Sequence, residues 1–172
     1  MTILIIILRI IHIFGGIFWT GFALFNVGFL QPTVRATGLD GQKTMQYLTQ
    51  KTRLQPTVYA AATLTVLSGI FLFWFSTGFR QSSISSGKGL VMAIGGLSGI
   101  IAWSIAMFVV RGIFGRMGAI GKAIQAQGTP PSTEQTAQMQ ALVVKLGKAS
   151  RIAVSFLIIA VLGMAIARYA TP

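Results

Sequence analysis

Four long runs of apolar residues dominate the hydrophobic pattern of the chain, and charged residues bracket each run. The runs cover about 3–30, 56–78, 89–111 and 151–169. A helix of about 20 apolar residues is long enough to cross the hydrocarbon core of a bilayer. The pattern therefore predicts an all-α polytopic membrane protein, in which a single domain, 1–172, contains four transmembrane helices in a bundle.

The third and fourth runs continue as amphipathic helices beyond the length that a membrane requires. Two apolar stripes recur at helical spacing on either side of the helix breaker GTPPS. They consist of Ile113, Met117, Ile120 and Ile124, and of Met139, Leu142, Val143 and Leu146. Ser132 followed by Gln135 has the spacing of a capping box, which predicts the start of a new helix. We therefore expect helices three and four to extend into a cytoplasmic hairpin over about 112–150.

The segment between the first two runs contains a short predicted helix and a repeated pentapeptide. The helix is predicted over about 41–52, after the turn TGLDG. The sequence LQPTV occurs at 30–34 and again at 54–58, once at the end of a run and once at the start of the next. We interpret the two copies as similar solutions at a membrane interface. Pro56 suits the first turn of a helix, whereas Pro32 is expected to kink or end the first helix.

Charge supports the membrane interpretation and suggests an orientation. The chain is 53% hydrophobic and 9% charged, whereas soluble domains carry about 25% charged residues. Ten of its fourteen basic residues fall in the segments 31–55 and 111–151. The positive-inside rule places these two segments in the cytoplasm and both termini outside it. Because the basic residues lie between apolar runs, the expected partner is the lipid bilayer and not nucleic acid.

Few residues are available for catalysis. The chain has no cysteine, which excludes disulfides, thiolate metal sites and covalent haem attachment. Its only acids, Asp40 and Glu134, lie in predicted loops, which excludes a paired-carboxylate hydrolase. With His12 as the only histidine, most enzyme classes lack the residues that they need, and a non-enzymatic role is favoured.

One face of the first run carries nearly all of its polar residues. At alternating three- and four-residue spacing this face contains Arg9, His12, Gly16, Trp19, Ala23 and Asn26. Polar groups avoid hydrocarbon, so the face is expected to turn toward the other helices. Small residues in every run, among them the pair Gly95 and Gly99, favour close packing of helices in lipid.

Three side chains that can bind a metal are predicted to lie at one depth near the extracytoplasmic surface. These side chains are His12, Met92 and Met164. Each lies about one helical turn inside the basic residue that marks the end of its apolar run. A His/Met pair can ligate haem iron and also suits Cu(I). Haem b or copper is therefore a candidate cofactor, with His12 as the candidate metal ligand. Its packing neighbours would be Arg9, Gly16, Trp19 and Asn26. The alternative is that His12 hydrogen-bonds a helix carbonyl or a neighbouring side chain, while the methionines fill gaps.

The position of Arg9 leaves two interpretations of the N-terminal helix open. If Arg9 marks the membrane edge, the mostly apolar segment MTILIIIL protrudes beyond it. Either the helix slides outward and Arg9 snorkels to the interface, or a partner covers the segment. The second interpretation would make the chain a subunit of a larger assembly.

The run HIFGGIFWTG resembles the first helix of the copper-resistance protein D (CopD)-like superfamily. The resemblance is carried by His12, Gly16, Trp19 and Gly21, followed by Pro32. It is closer to small four-helix bacterial membrane proteins related to that superfamily, and GQKTMQYLTQKTRL, LTVLSG and QGTPPSTEQ extend it over most of the chain. This likeness implies a bacterial inner-membrane protein of four spans and suggests copper-related transport. A weaker similarity to small membrane protoporphyrinogen oxidases implies haem at the early-helix histidine.

Two main functional hypotheses follow from the sequence. The first is a non-enzymatic integral inner-membrane protein that acts as an accessory or structural subunit, with another membrane protein or a second copy of the chain as its partner. The alternative is a haem- or copper-binding redox or transport protein that uses His12 near the outer face. A third hypothesis, suggested by the weaker resemblance, is a haem-pathway oxidoreductase.

Overall fold

The fold is all-α, as predicted. The computed structural model describes residues 2–170, except for the side chains of Leu39, Gln42 and Gln50. Within that range no strand occurs. The α-helices are α1 (Thr2–Phe25), α2 (Gln31–Ala36), α3 (Gly38–Gln50), α4 (Leu54–Thr77), α5 (Gln81–Ile84), α6 (Gly87–Ser104), α7 (Arg111–Gln127) and α8 (Thr133–Ile166). Two π-helical turns, Asn26–Leu30 and Ile105–Val110, join α1 to α2 and α6 to α7, and a 3₁₀ turn, Ala167–Tyr169, follows α8.

Four continuous helical stretches are long and apolar enough to cross a membrane. They are Thr2–Ala36, Leu54–Thr77, Gly87–Gln127 and Thr133–Tyr169. The four apolar runs of the sequence fall on these stretches. Many of their large apolar side chains are exposed on the outside of the protein. Such a continuous apolar surface suits contact with lipid and is typical of a membrane protein.

Pro32 does not end the first helix, in contrast to one of the two expectations for it. The helix continues from α1 through the π-helical turn into α2. At the end of this turn the Gln31 N–H donates to the Asn26 carbonyl oxygen, five residues earlier. A proline in a regular α-helix lacks the N–H for one hydrogen bond and its ring collides with the carbonyl four residues back. The wider turn shifts the hydrogen-bond pattern just before Pro32 and so lets the helix continue.

One buried residue from each long helical stretch contributes to a common core layer. These residues are Trp19, Ala62, Ala102 and Leu157. Trp19 is only 5% exposed, and Ala62 and Ala102 are 0% exposed, because the two small side chains make room for the indole ring. We use this core layer as a reference for height. The upper end of the molecule is the end at which α1 begins, and the lower end is the end at which α7 finishes.

The long helices associate mainly as two pairs, α1 with α4 and α6 with α8. In the seam between α6 and α8, a Cβ added to Gly163 would lie 3.0 Å from the Gly95 Cα. In the seam between α1 and α4, a Cβ added to Gly15 would lie 3.2 Å from the Ala61 carbonyl oxygen. Glycine at these positions lets the helix backbones approach closely, which favours association in lipid, where burial of apolar surface gives no driving force.

Toward the lower end, α7 packs against the first half of α8. Ile113, Leu142 and Leu146 form a second buried cluster there. The Ser132 hydroxyl accepts a hydrogen bond from the Gln135 N–H, and the Gln135 side chain accepts one from the Ser132 N–H. This capping box begins α8 and confirms the motif predicted from the sequence. With a rise of 1.5 Å per residue, α7 reaches roughly 25 Å beyond the first residue of α4.

Candidate functional site

His12 lies in the seam between α1 and α4, about 10 Å above the core layer by helix rise. Its Nδ1 is 2.8 Å from the Thr65 carbonyl oxygen. Because a carbonyl oxygen can only accept, the imidazole donates through its Nδ1–H, and Nε2 takes no part in this hydrogen bond. A Cβ added to Gly69 would lie 2.8 Å from the His12 Cε1, so this glycine makes room for the ring.

The hydrogen bond from His12 has two chemical consequences. It links α1 to α4, which is the structural role that the sequence left open for this residue. It also resembles the hydrogen bond of metal-binding histidines, which commonly donate their other N–H to a carbonyl or carboxylate. The geometry of His12 therefore fits a single ligand to haem iron or copper, and it equally fits a purely structural histidine.

Met92 and Met164 lie on the other pair of helices. The Met164 Cε is 4.0 Å from a Cβ added to Gly96, which places it beside the seam between α6 and α8, and its side chain is exposed. Met92 is half-buried one turn before Gly96. By helix rise, His12 and Met164 lie about 10 Å above the core layer and Met92 about 15 Å. The three side chains thus lie at similar heights but on two different helix pairs. Within residues 2–170 no three His, Asp or Glu side chains form a cluster that could hold a metal ion.

The polar face of α1 turns inward below Arg9. Its buried and half-buried members are His12, Gly16, Trp19, Ala23 and Asn26, whereas Arg9 is exposed. The contact of His12 with Gly69 fixes the antiparallel register of α1 on α4. If this register is extended toward the upper end, Ile3 comes level with Thr77, the last residue of α4. The N-terminal turns of α1 therefore do not protrude beyond α4, and Arg9 lies about two turns below the upper end.

A cavity of about 90 Å³ lies directly below the core layer. Trp19 and Leu157 line it from above. Five of the lining side chains carry a hydroxyl or an amide: Thr49, Tyr59, and the three considered next, Ser150 of α8, Gln55 of α4 and Asn26 of the first helix. Each of the three lies seven residues, or two turns, from the core-layer residue of its own helix. All three are consequently at one level, about 10 Å below that layer. The remaining lining is mostly apolar or aromatic, and no charged side chain belongs to it.

Two of these polar groups lack hydrogen-bond partners. Asn26 Oδ1 and Gln55 Nε2 are buried and find no partner in the part of the chain that the structure describes. The same holds for Gln31 Nε2, five residues beyond Asn26 toward the lower end. Gln31 and Gln55 are the second residues of the two LQPTV copies. Only the second copy lines the cavity, through Leu54, Gln55 and Val58. The sequence alone did not single out Gln55 or Ser150.

The described residues therefore offer two candidate sites. The upper one presents an imidazole with a free Nε2, and the lower one is an uncharged cavity with unpaired hydrogen-bonding groups. Neither places a nucleophile beside a base, so binding is the chemistry that both favour. Comparison with other proteins adds no further guide: no family model, no curated protein and no solved structure matches this chain.

Proposed function

We propose that the chain is a four-span protein of a bacterial cytoplasmic membrane and a non-enzymatic accessory subunit of a membrane complex. In this proposal the four long helices form a bundle, and α7 with the first half of α8 forms a cytoplasmic hairpin. Both termini are extracytoplasmic. The CopD-like resemblance described above supports the bacterial membrane assignment, and the concentration of basic residues in 31–55 and 111–151 supports the orientation.

The orientation can be tested directly because the chain has no cysteine. Single cysteines placed by Ser83→Cys, before α6, and by Gln127→Cys, at the end of α7, lie at opposite ends of the molecule. An impermeant maleimide added to intact spheroplasts should label the first variant and spare the second. Labelling of Gln127→Cys alone would reverse the orientation, and labelling of both to the same extent would contradict four spans.

The exposed surface of α1 is the observation that carries the assignment as a subunit. Of the four long helical stretches, the one that begins with α1 has the smallest buried share. Ile3 and Phe14 are 74% and 70% exposed on it, and the exposed Arg9 lies between them. A charged side chain that faces lipid two turns inside a helix end is unfavourable. An acidic or hydrogen-bonding group on a partner helix would compensate it, and the chain's own acids, Asp40 and Glu134, lie on α3 and α8 at the lower end.

The subunit proposal predicts that the purified protein carries a partner whose retention depends on Arg9. Affinity purification in mild detergent should yield a complex of defined stoichiometry. Arg9→Leu removes the positive charge but keeps an apolar side chain at this position of α1, and it should release the partner. Arg168→Leu is the matched control, because Arg168 is also an exposed arginine near the upper end. Depletion of the protein should lower the steady-state amount of the partner. A monomer that purifies alone, or a partner retained equally by both variants, would refute the proposal.

A second function, haem or copper binding at His12, is favoured by one observation. The Nδ1 hydrogen bond to the Thr65 carbonyl leaves Nε2 free to coordinate a metal. The visible spectrum and the metal content of the purified protein test this function. A Soret band or stoichiometric copper that is lost in His12→Ala and retained in Met107→Ala, a methionine below the core layer, would support it. A colourless, metal-free protein would exclude it.

A further inference from the structure

The hydroxyl of Ser150 behaves differently from those of three other serines on the long helices. Ser68, Ser98 and Ser155 each donate to the carbonyl four residues earlier on their own helix. Such a bond is the ordinary way to satisfy a hydroxyl inside an apolar helix. Ser150 is only 7% exposed, yet it forms no hydrogen bond with any residue that the structure describes, and it lines the cavity below the core layer. Its unused hydrogen bond is therefore available to whatever occupies the cavity.

Polar groups from three helices thus meet at one cavity. The other two are Asn26 Oδ1 and Gln55 Nε2. A buried polar group without a partner is costly. An isolated polar group could be tolerated. Two such groups, at one level with the Ser150 hydroxyl and lining the same cavity, indicate a shared occupant that supplies the missing bonds.

The chemistry of the lining limits what that occupant can be. No charged side chain belongs to the lining, so an ion would find no counter-charge. The amides and the hydroxyl together offer both donors and acceptors, which suits an uncharged molecule that can do both. A cavity of about 90 Å³ accommodates about three water molecules at the volume of liquid water.

We propose that this cavity is a hydrated site, in which about three water molecules bridge Asn26, Gln55 and Ser150. Trp19 and Leu157 close it toward the upper end. Gln31, whose buried Nε2 is also unpaired among the described residues, continues the polar groups toward the lower end, from which water enters. The site is independent of the proposed partner and of any cofactor at His12. In this proposal the interior of the helix assembly is hydrated below the core layer and free of water above it.

Thiol labelling in reconstituted vesicles measures this difference. N-ethylmaleimide reacts with the thiolate, which forms only where the thiol meets water. The test variant is Ser150→Cys, and the matched controls are Ser98→Cys and Ser68→Cys, which lie above the core layer and are similarly buried at 6% and 3% exposure. All three replace a hydroxyl by a thiol of similar shape in a chain without other cysteines. Ser150→Cys should be labelled at least about tenfold faster than either control.

Two further variants keep the test decisive. Ser155→Cys, which is exposed on the outside of α8, reports the rate for a thiol that faces lipid. Asn26→Cys repeats the measurement from the first helix if Ser150→Cys does not elute as a folded protein, and it should also be labelled fast. Equal, slow labelling of Ser150→Cys and Ser98→Cys would overturn the proposal. So would labelling of Ser150→Cys that becomes fast only after bound lipid is stripped, since the occupant would then be an amphiphile.

Discussion

A methyl group at Gly163 should weaken the seam between α6 and α8. A Cβ there would lie 3.0 Å from the Gly95 Cα and 3.2 Å from the Val91 carbonyl oxygen. Both are backbone atoms, so only a separation of the two helices relieves the contact. Overpacking of a close-packed interior costs about 1–3 kcal/mol, and alanine regains about 0.5–1 kcal/mol of helix propensity over glycine. Gly163→Ala should therefore lower the free energy of unfolding by on the order of 1 kcal/mol.

Two other glycines provide controls with different surroundings. On the same helix, a Cβ added to Gly147 would lie 2.7 Å from Arg35 Nη2, which is the end of a long, exposed side chain and can move aside. At Gly115 in α7 a Cβ would meet nothing within 4 Å. Gly147→Ala should change stability little, and Gly115→Ala should raise the free energy of unfolding by about 0.5–1 kcal/mol through helix propensity alone.

The assay is unfolding in mixed micelles of increasing SDS fraction, followed by the loss of near-UV circular dichroism. The expected order of stability is Gly115→Ala first, then the unchanged protein and Gly147→Ala together, then Gly163→Ala. This order follows because a Cβ at Gly163 meets backbone atoms, whereas a Cβ at Gly147 meets a side chain that can move. If Gly163→Ala proved as stable as Gly115→Ala, the helices would not be held at the close approach described here.

The same titration tests three other contacts. Trp19→Ala, which empties the core layer, should cost about 3–5 kcal/mol, and a loss below 1 kcal/mol would mean that the indole is not packed there. Trp103→Phe should cost about 0.5–1.5 kcal/mol, because the indole N–H donates to Thr63 Oγ1 at 3.1 Å; restoring stability by the additional change Thr63→Val would support this cause. Ser132→Ala should cost about 1 kcal/mol and speed hydrogen exchange at the Gln135 amide, which loses its capping partner. An unchanged exchange rate at Gln135 would contradict the cap.

The sequence predicted the long helices well because their signal is local. A run of about 20 apolar residues has few alternatives to a helix that crosses a membrane. The capping box at Ser132 could also be recognised in the sequence, since its two residues are only three positions apart. The continuation of the helix through Pro32 was not predictable in this way. It depends on a π-helical turn, and the wider hydrogen-bond pattern of such a turn has no clear signature in the sequence.

The candidate sites show the same division between local and distant information. The inward face of α1 followed from its spacing, and a carbonyl partner for His12 was one of the two alternatives for that residue. Which carbonyl it would be could not be deduced, because Thr65 lies 53 residues away. The cavity could not be predicted from the sequence for a similar reason. Asn26, Gln55 and Ser150 come from three helices, and only the folded chain brings them to one level.

The π-helical turn at Ile105–Val110 joins two stretches of helix that have different neighbours. Above it, Ala102 meets both α4 and α8, and below it Ile113 meets α8. One additional residue wound into a helix rotates everything after it by about 100°. A chain shortened by one residue in this turn could still be helical throughout, yet Ile113 would swing away from Leu142. The number of residues in this turn, more than their identity, therefore sets the rotation of the half of the helix that pairs with the start of α8 relative to the half that meets α4.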